Sequence, residues 1–91
     1  MFHVYILWSN SIKKYYIGYT NNLKDRIKLH NKGHGAKYLQ IRLPVELVYS
    51  KEYKYYKNAL TAERRLKKLT RLQKEQLIKI YESNPSHEGK L

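Results

Sequence analysis

Tyr15-Tyr16-Ile17-Gly18-Tyr19-Thr20-Asn21-Asn22-Leu23-Lys24-Asp25-Arg26 passes from strand chemistry to helix chemistry within twelve residues. Tyr15 to Thr20 is aromatic and β-branched, with a glycine inside it, and reads as a strand. Asn21 or Asn22 can cap a helix that runs from Leu23 to about Asn31 and is ended by Gly33 and Gly35. Upstream, Phe2 to Trp8 has the same strand character, and Ser9-Asn10-Ser11 supplies turn chemistry, so the first twenty residues predict a hairpin. Downstream, Lys32 to Leu43 is a basic loop ending before Pro44, and Val45 to Glu52 reads as a third strand. Asn58 to Leu69 reads as a helix. Thr70 starts another, with Gln73 spaced from it as a capping box. The order strand, strand, helix, strand, helix, helix implies an α+β layer, a small sheet with helices packed on it. Residues 1–82 make one domain in this scheme, and the Pro-, Gly- and Ser-containing stretch 83–91 is expected to be a frayed tail.

Ninety-one residues fit one domain with a small core, and 42% hydrophobic content is enough to fold it without metals or cross-links. Without cysteine there is neither a disulfide nor a thiolate zinc site, which fits a reducing cytoplasm. Nineteen Lys and Arg against seven Asp and Glu leave a net charge of +12, a dense positive field whose natural partners are polyanions. Nucleic acid leads, because counterion release drives binding to its backbone, and ten tyrosines can stack on bases or bond to phosphate. An anionic membrane surface is the rival partner. No apolar run approaches the roughly 20 residues needed to span a bilayer. Met1 to Trp8 soon gives way to Ser9, Asn10 and Lys13 and lacks a signal-peptide pattern. The expectation is a soluble cytoplasmic protein without stable membrane association.

The helices carry charge where apolar residues belong. Leu23 and Ile27 define the inward stripe of the first, yet His30 falls beside Leu23 in angle and Arg26 lies only slightly aside. These two are four residues apart and can point at one spot. Alternatively, Arg26 snorkels and His30 is a satisfied histidine at a helix end. On the second helix Ala59, Leu60, Ala62, Leu66 and Leu69 mark an apolar face, and Glu63 projects into it. A lone buried carboxylate is costly, so Glu63 needs a cation, a metal or strong donors; a structural ion pair with Arg26 is the alternative to a functional site. Tyr5 and Tyr16 stand on adjacent strands of the hairpin, where their hydroxyls can converge. Gly18 beside them marks either a bulge or close approach of another group.

Hydrolysis of a phosphodiester needs an activated water, stabilisation of negative charge and help for the leaving oxygen. Tyr or His can relay a proton, Arg can hold a phosphate bidentately, and Glu can ligate Mg²⁺. The five residues Tyr5, Tyr16, Arg26, His30 and Glu63 supply each part. The sequence holds no phosphate-binding Gly-x-x-x-x-Gly-Lys loop, no His-Glu-x-x-His zinc motif and no serine in a nucleophile elbow.

With these residues in place the sequence resembles the GIY-YIG nuclease superfamily, and in particular its small stand-alone bacterial members of the UPF0213 type. His3-Val4-Tyr5 stands where the family has Gly-Ile-Tyr, and Tyr16-Ile17-Gly18 matches the second triplet. The run from Tyr16 to Arg26 looks like the core signature. His30 falls one turn later, where relatives carry His or Tyr, and Glu63 matches the metal-binding glutamate. The likeness covers about residues 2 to 80. It implies a three-stranded antiparallel sheet flanked by helices, and an endonuclease working with one metal, Mg²⁺ or Mn²⁺, held by Glu63. Tyr5 or His30 would help deprotonate the attacking water, Arg26 would steady the phosphate, and Tyr16 would position or polarise the site. Products with 5′-phosphate and 3′-hydroxyl ends follow by analogy, with DNA repair or recombination as the expected setting. Two positions depart from the pattern: His3 replaces the leading glycine, and Tyr19 stands where some relatives place a lysine.

Lys32, Lys37, Arg42, Lys67, Lys68 and Arg71 are the candidates for nonspecific backbone contact, against the alternative of a solvated charged surface. With no second domain in these residues, targeting would fall to a protein partner. The favoured substrate is DNA over RNA, in a branched, damaged or single-stranded form. The competing function is a nucleic-acid-binding module of the same fold with little or no catalysis.

Overall fold

A computed structural model describes residues 1–31 and 45–84, without the side chains of residues 29–31. Its elements are β1 (Phe2–Ser9), β2 (Lys14–Thr20), α1 (Leu23–Asn31), β3 (Glu46–Tyr53), α2 (Tyr56–Lys68) and α3 (Arg71–Glu82). The strands form one sheet in the order β2-β1-β3, with both pairings antiparallel. The α+β class and the three-stranded antiparallel sheet are therefore as the sequence and its resemblance implied. The proposed tail lies, from residue 85 onward, outside the described residues.

Strand periodicity sorts β1 onto two faces. Val4 and Ile6, both fully buried, join Ile17, Val48, Ala59, Leu66 and Ile78 in the cluster that α2 and α3 cover. Tyr5 and Leu7 point the other way and join Leu23 and Val45, with Ile27 of α1 packed beside them. The sheet is thus a middle layer, with α1 on one face and α2 and α3 on the other. The register with β3 shifts between Ile6 and Leu7, where Ile6 faces Tyr49 but Leu7 faces Leu47. The extra residue, Val48, packs with Tyr49 in the same cluster, so the bulge adds apolar volume on the α2/α3 side.

Local signals set the helix starts. The Asn22 side chain accepts from the Asp25 amide (3.2 Å) and donates to the Asp25 carboxylate (2.9 Å), a reciprocal cap that fixes α1. Thr70 accepts from the Gln73 amide (3.2 Å) while the Gln73 side chain accepts from the Thr70 amide (2.9 Å), the capping box expected for α3. α2 starts two residues earlier than Asn58 suggested. Tyr55 is its N-cap without a side-chain bond, and the amides of Asn58 and Ala59 both bond to the Tyr55 carbonyl. Among the described residues no helix is long and apolar enough to cross a membrane.

Candidate active site

Tyr5 and Gly18 are direct partners across the β1–β2 ladder. With no side chain on Gly18, the phenol lies over the neighbouring strand. A β-carbon there would stand 2.6 Å from the Tyr5 hydroxyl and 2.8 Å from Cζ, distances that real β-carbons do not tolerate. The ladder runs unbroken from His3–Thr20 to Ser9–Lys14, so Gly18 marks close approach and not a bulge. Tyr16, two residues before it on the same face, places its ring 6.4 Å from that of Tyr5. β2 is an edge strand, which leaves this tyrosine pair at the border of the sheet.

The turn after β2 delivers the cation. Thr20 Oγ accepts from the Asn22 amide (3.1 Å), Asn22 caps α1, and the Arg26 amide closes the first helical bond to the Asn22 carbonyl (3.0 Å). Arg26 is thereby held one turn into α1. From the other side of the sheet, α2 contributes Glu63 on its inward stripe, 9% exposed, between Ala59 and Leu66.

Tyr5, Tyr16, Arg26 and Glu63 all line one cleft of about 400 Å³ at the edge of β2. Four side chains from β1, β2, α1 and α2 thus meet at one place, as the sequence suggested. Arg26 and Glu63 are nevertheless not ion-paired: the carboxylate's partner is Lys67, at 3.7 Å one turn along α2, and Arg26 forms no ion pair among the described residues. Tyr5, 1% exposed, has its phenol pKa raised above the ordinary value, first by burial, then by Tyr16 and Glu63 nearby, with Arg26 opposing. At neutral pH it is a protonated hydrogen-bond donor.

Among the described residues no group of three His, Asp or Glu side chains forms a closed metal cage. Mg²⁺ does not require one, since it keeps several waters and is bound through one or two carboxylates plus substrate phosphates. A lone inward carboxylate on an open cleft fits that coordination.

The remaining candidate residues divide. His30 lies in α1, but its side chain is outside the described residues, as are Lys32, Lys37 and Arg42. Lys67 stands beside Glu63, and Lys68 is exposed on α2. Arg71 is committed elsewhere: it donates to the Lys13 carbonyl (2.9 Å), pairs with Glu75 (3.5 Å) and lies over the rings of Trp8 and Tyr15. These contacts hold the hairpin to α3, a structural role beside the phosphate contact expected of it. His3, in place of the family's glycine, faces Glu52 of β3 (3.4 Å) and takes no part in the cleft wall.

The cleft wall also contains Phe2, Tyr19, Thr20, Asn21 and Tyr56. Tyr56 is the residue the sequence reading missed. Its hydroxyl is 3.2 Å from that of Tyr19, and its ring meets Phe2 and Tyr19 edge-on at 5.7 and 5.6 Å. It sits seven residues before Glu63 and so on the same helix face. Starting α2 at Asn58 removed it from that register.

Residues 1–76 match the model of the GIY-YIG catalytic domain, so fold, ordered motifs and cleft all point to one class. The chain belongs to the GIY-YIG family, a nuclease superfamily whose domain implies interaction with nucleic acid. Its relatives include UPF0213 proteins. One from Clostridium perfringens is 50% identical over 86% of this chain and 83% of its own length. One from Bacillus velezensis is 46% identical over 85% of this chain and 75% of its own. UPF0213 protein YazA of Bacillus subtilis is 48% identical, the match spanning 70% of this chain and 65% of that protein. The solution structure of the UPF0213 protein BH0048 from Bacillus halodurans is similar at a TM-score of 0.56 and 38% identity, covering 88% of this chain and 85% of that one.

Proposed function

We propose that the chain is a metal-dependent endonuclease that hydrolyses phosphodiester bonds by attack of an activated water, with DNA as substrate. The observation that carries this is that Arg26 and Glu63, which are not paired with each other, line one cleft with Tyr5 and Tyr16. A guanidinium can hold a phosphate by charge-assisted hydrogen bonds, and a carboxylate in the same cleft would reach that phosphate through a bound divalent cation.

Arg26 binds non-bridging phosphate oxygens and stabilises the charge that grows on them. Glu63 would hold Mg²⁺ or Mn²⁺, which when bound supplies positive charge to the phosphate and the leaving oxygen. Water oxygen forms the new bond to phosphorus, the bond from phosphorus to the 3′ oxygen breaks, and that oxygen takes a proton from solvent water at the open cleft. Tyr5, kept protonated by burial, orients the water and passes a proton on rather than storing a negative charge. His30, one turn after Arg26 in sequence, is the residue to accept the proton, because imidazole titrates near neutrality. Tyr16 positions the Tyr5 hydroxyl by packing against its ring. Lys67 and Lys68, together with Lys32, Lys37 and Arg42, would hold the backbone nonspecifically. Cytoplasmic DNA in branched, damaged or single-stranded form is the expected target, with a protein partner directing the enzyme to it.

The test incubates the parent chain and Glu63→Ala with labelled single-stranded, duplex and branched DNA, with and without Mg²⁺ or Mn²⁺. Cleavage by the parent that requires metal and is absent in the variant is the expected result. Binding without cleavage across all substrates would instead give the chain the role of a nucleic-acid-binding module.

A further inference from the structure

The described residues contain two exposed aromatic rings, and they are neighbours: Tyr55 is 60% exposed and Tyr56 47%. Every other described tyrosine, with Phe2 and Trp8, is buried or half-buried. Ring surface left in water at one point of so small a fold is a stacking resource. Tyr56 lines the cleft that holds Glu63, and Tyr55, its neighbour at the N-cap of α2, lies just outside the cleft wall. Cations surround it. Lys54 Nζ lies 5.6 Å from the centre of the Tyr55 ring, and the exposed Lys57, Arg64 and Lys68 recur along α2 at helical spacing. Among the described residues none of these three has an ion-pair partner. The stripe they form lies next to the stripe carrying Tyr56 and Glu63.

We propose that Tyr55 and Tyr56 form a stacking subsite for unpaired bases of a single-stranded segment whose backbone follows Lys57, Arg64 and Lys68 into the cleft. A duplex cannot use such a platform, because its bases are already stacked on each other, whereas a single strand offers both free base faces and a backbone. The subsite thus selects single-stranded or flapped nucleic acid. Its place in catalysis rests on the nuclease function proposed above; its binding does not.

The test measures fluorescence anisotropy of the full chain with a labelled single-stranded oligonucleotide and a duplex of equal length, in EDTA so that no cleavage occurs. Tyr55→Ala, Tyr55→Leu and Tyr55→Phe are compared, with thermal unfolding as the fold control; Tyr55 makes no side-chain cap bond that the changes would remove. Losing one stacked base should weaken single-strand binding about tenfold in the Ala and Leu variants, with duplex binding unchanged and the Phe variant restored. The salt slope should stay constant for Tyr55→Ala and fall by about one for Arg64→Ala. Unchanged single-strand affinity in Tyr55→Ala, equal losses on duplex, or failure of the Phe variant to recover would each overturn the proposal. A chain that shows the stacking signature yet never cleaves would remove the nuclease function and keep the subsite, and the reverse pattern would do the opposite.

Discussion

Arg26 and Arg71 both stand beside pairs of aromatic rings, but what their guanidinium groups do there is different. Arg71 lies 5.4 and 5.5 Å over the rings of Trp8 and Tyr15, donates to the carbonyl of Lys13 and pairs with Glu75. Lys13 has the positive φ (56°) that closes the hairpin turn, so Arg71 ties the first turn of α3 to the strained point of the β1–β2 loop. Arg26 shares a cleft with Tyr5, Tyr16 and Glu63 and joins none of them by an ion pair or hydrogen bond. Arg71 has Nη1 and Nε engaged within the chain, while Arg26 has no ion-pair or hydrogen-bond partner for its guanidinium among the described residues. Aromatic company and positive charge are common to both places, so neither identifies a site. What sets the Arg26 site apart is a carboxylate in the same cleft that is paired with Lys67 and not with the arginine.

The largest effect should come from Glu63→Gln, which keeps the shape and removes the charge. Cleavage should fall by at least roughly 100- to 1,000-fold, the scale of losing one electrostatic element of a hydrolytic site. Urea unfolding should show little loss, because the amide fills the same space. Retained cleavage would place Glu63 with Arg71 as a structural residue. Arg26→Ala should come next, with turnover down roughly 100-fold and unfolding free energy changed by less than about 0.5 kcal/mol. Severe unfolding of this variant would erase the contrast, since Arg26 would then be holding the fold as Arg71 does. Gly18→Ala should follow. The new methyl group meets the Tyr5 hydroxyl and must displace it, which should lower cleavage by roughly tenfold and cost about 1–3 kcal/mol of stability from overpacking. Full activity in that variant would mean that the Tyr5 position is irrelevant to the chemistry.

These contrasts were unevenly legible beforehand. The hairpin, the cap at Asn22 and the box at Thr70 and Gln73 depend on local residue types and spacing, and they lie where the sequence indicated. Glu63 was visible because a carboxylate on an apolar stripe breaks helical periodicity. Whether it pairs with Arg26 was not visible, because the two belong to helices on opposite faces of the sheet and only tertiary geometry sets their separation. The structural contacts of Arg71 are hidden in the sequence for a related reason. Its partners Trp8, Tyr15 and Lys13 lie more than fifty residues away in sequence, and an exposed arginine early in a helix looks the same whether committed or free. Tyr56 was missed because α2 begins without a side-chain cap, so no residue type announces its start.

Arg71→Ala tests the structural half of the comparison and should have a smaller effect. An exposed cation–π contact contributes roughly 0.5–1 kcal/mol, a hydrogen bond to backbone roughly 0.5–1.5, and the exposed pair with Glu75 little. A loss of about 1–2 kcal/mol in urea unfolding, with cleavage per folded molecule unchanged, is expected. A large drop in cleavage without a loss of stability would return Arg71 to the phosphate-binding set.

The smallest effect reads the cleft's electrostatics directly. Burial raises the pKa of the Tyr5 phenol, with Tyr16 and Glu63 adding and Arg26 opposing, so the folded chain resists its ionisation. In the unfolded chain the phenol ionises near the ordinary value of about 10. Below that pH both states are protonated and the contribution of Tyr5 to stability is fully present. Above it the unfolded state sheds the proton while the folded state keeps it, and stability falls by up to about 1.4 kcal/mol per pH unit from this group. Tyr5→Phe removes that dependence, so parent and variant unfolding curves should converge or cross between about pH 9 and 11. Parallel curves would mean that the phenol ionises as readily in the cleft as in water, and Tyr5 could not be the neutral donor assigned to it. Arg26→Ala should carry the alkaline loss on to higher pH without steepening it, because the charge that favours the phenolate has gone. Arg71→Ala should leave the Tyr5-dependent part of that loss, and the pH at which it ends, untouched. The two arginines would then be separated by their effect on a single phenol, with no substrate present.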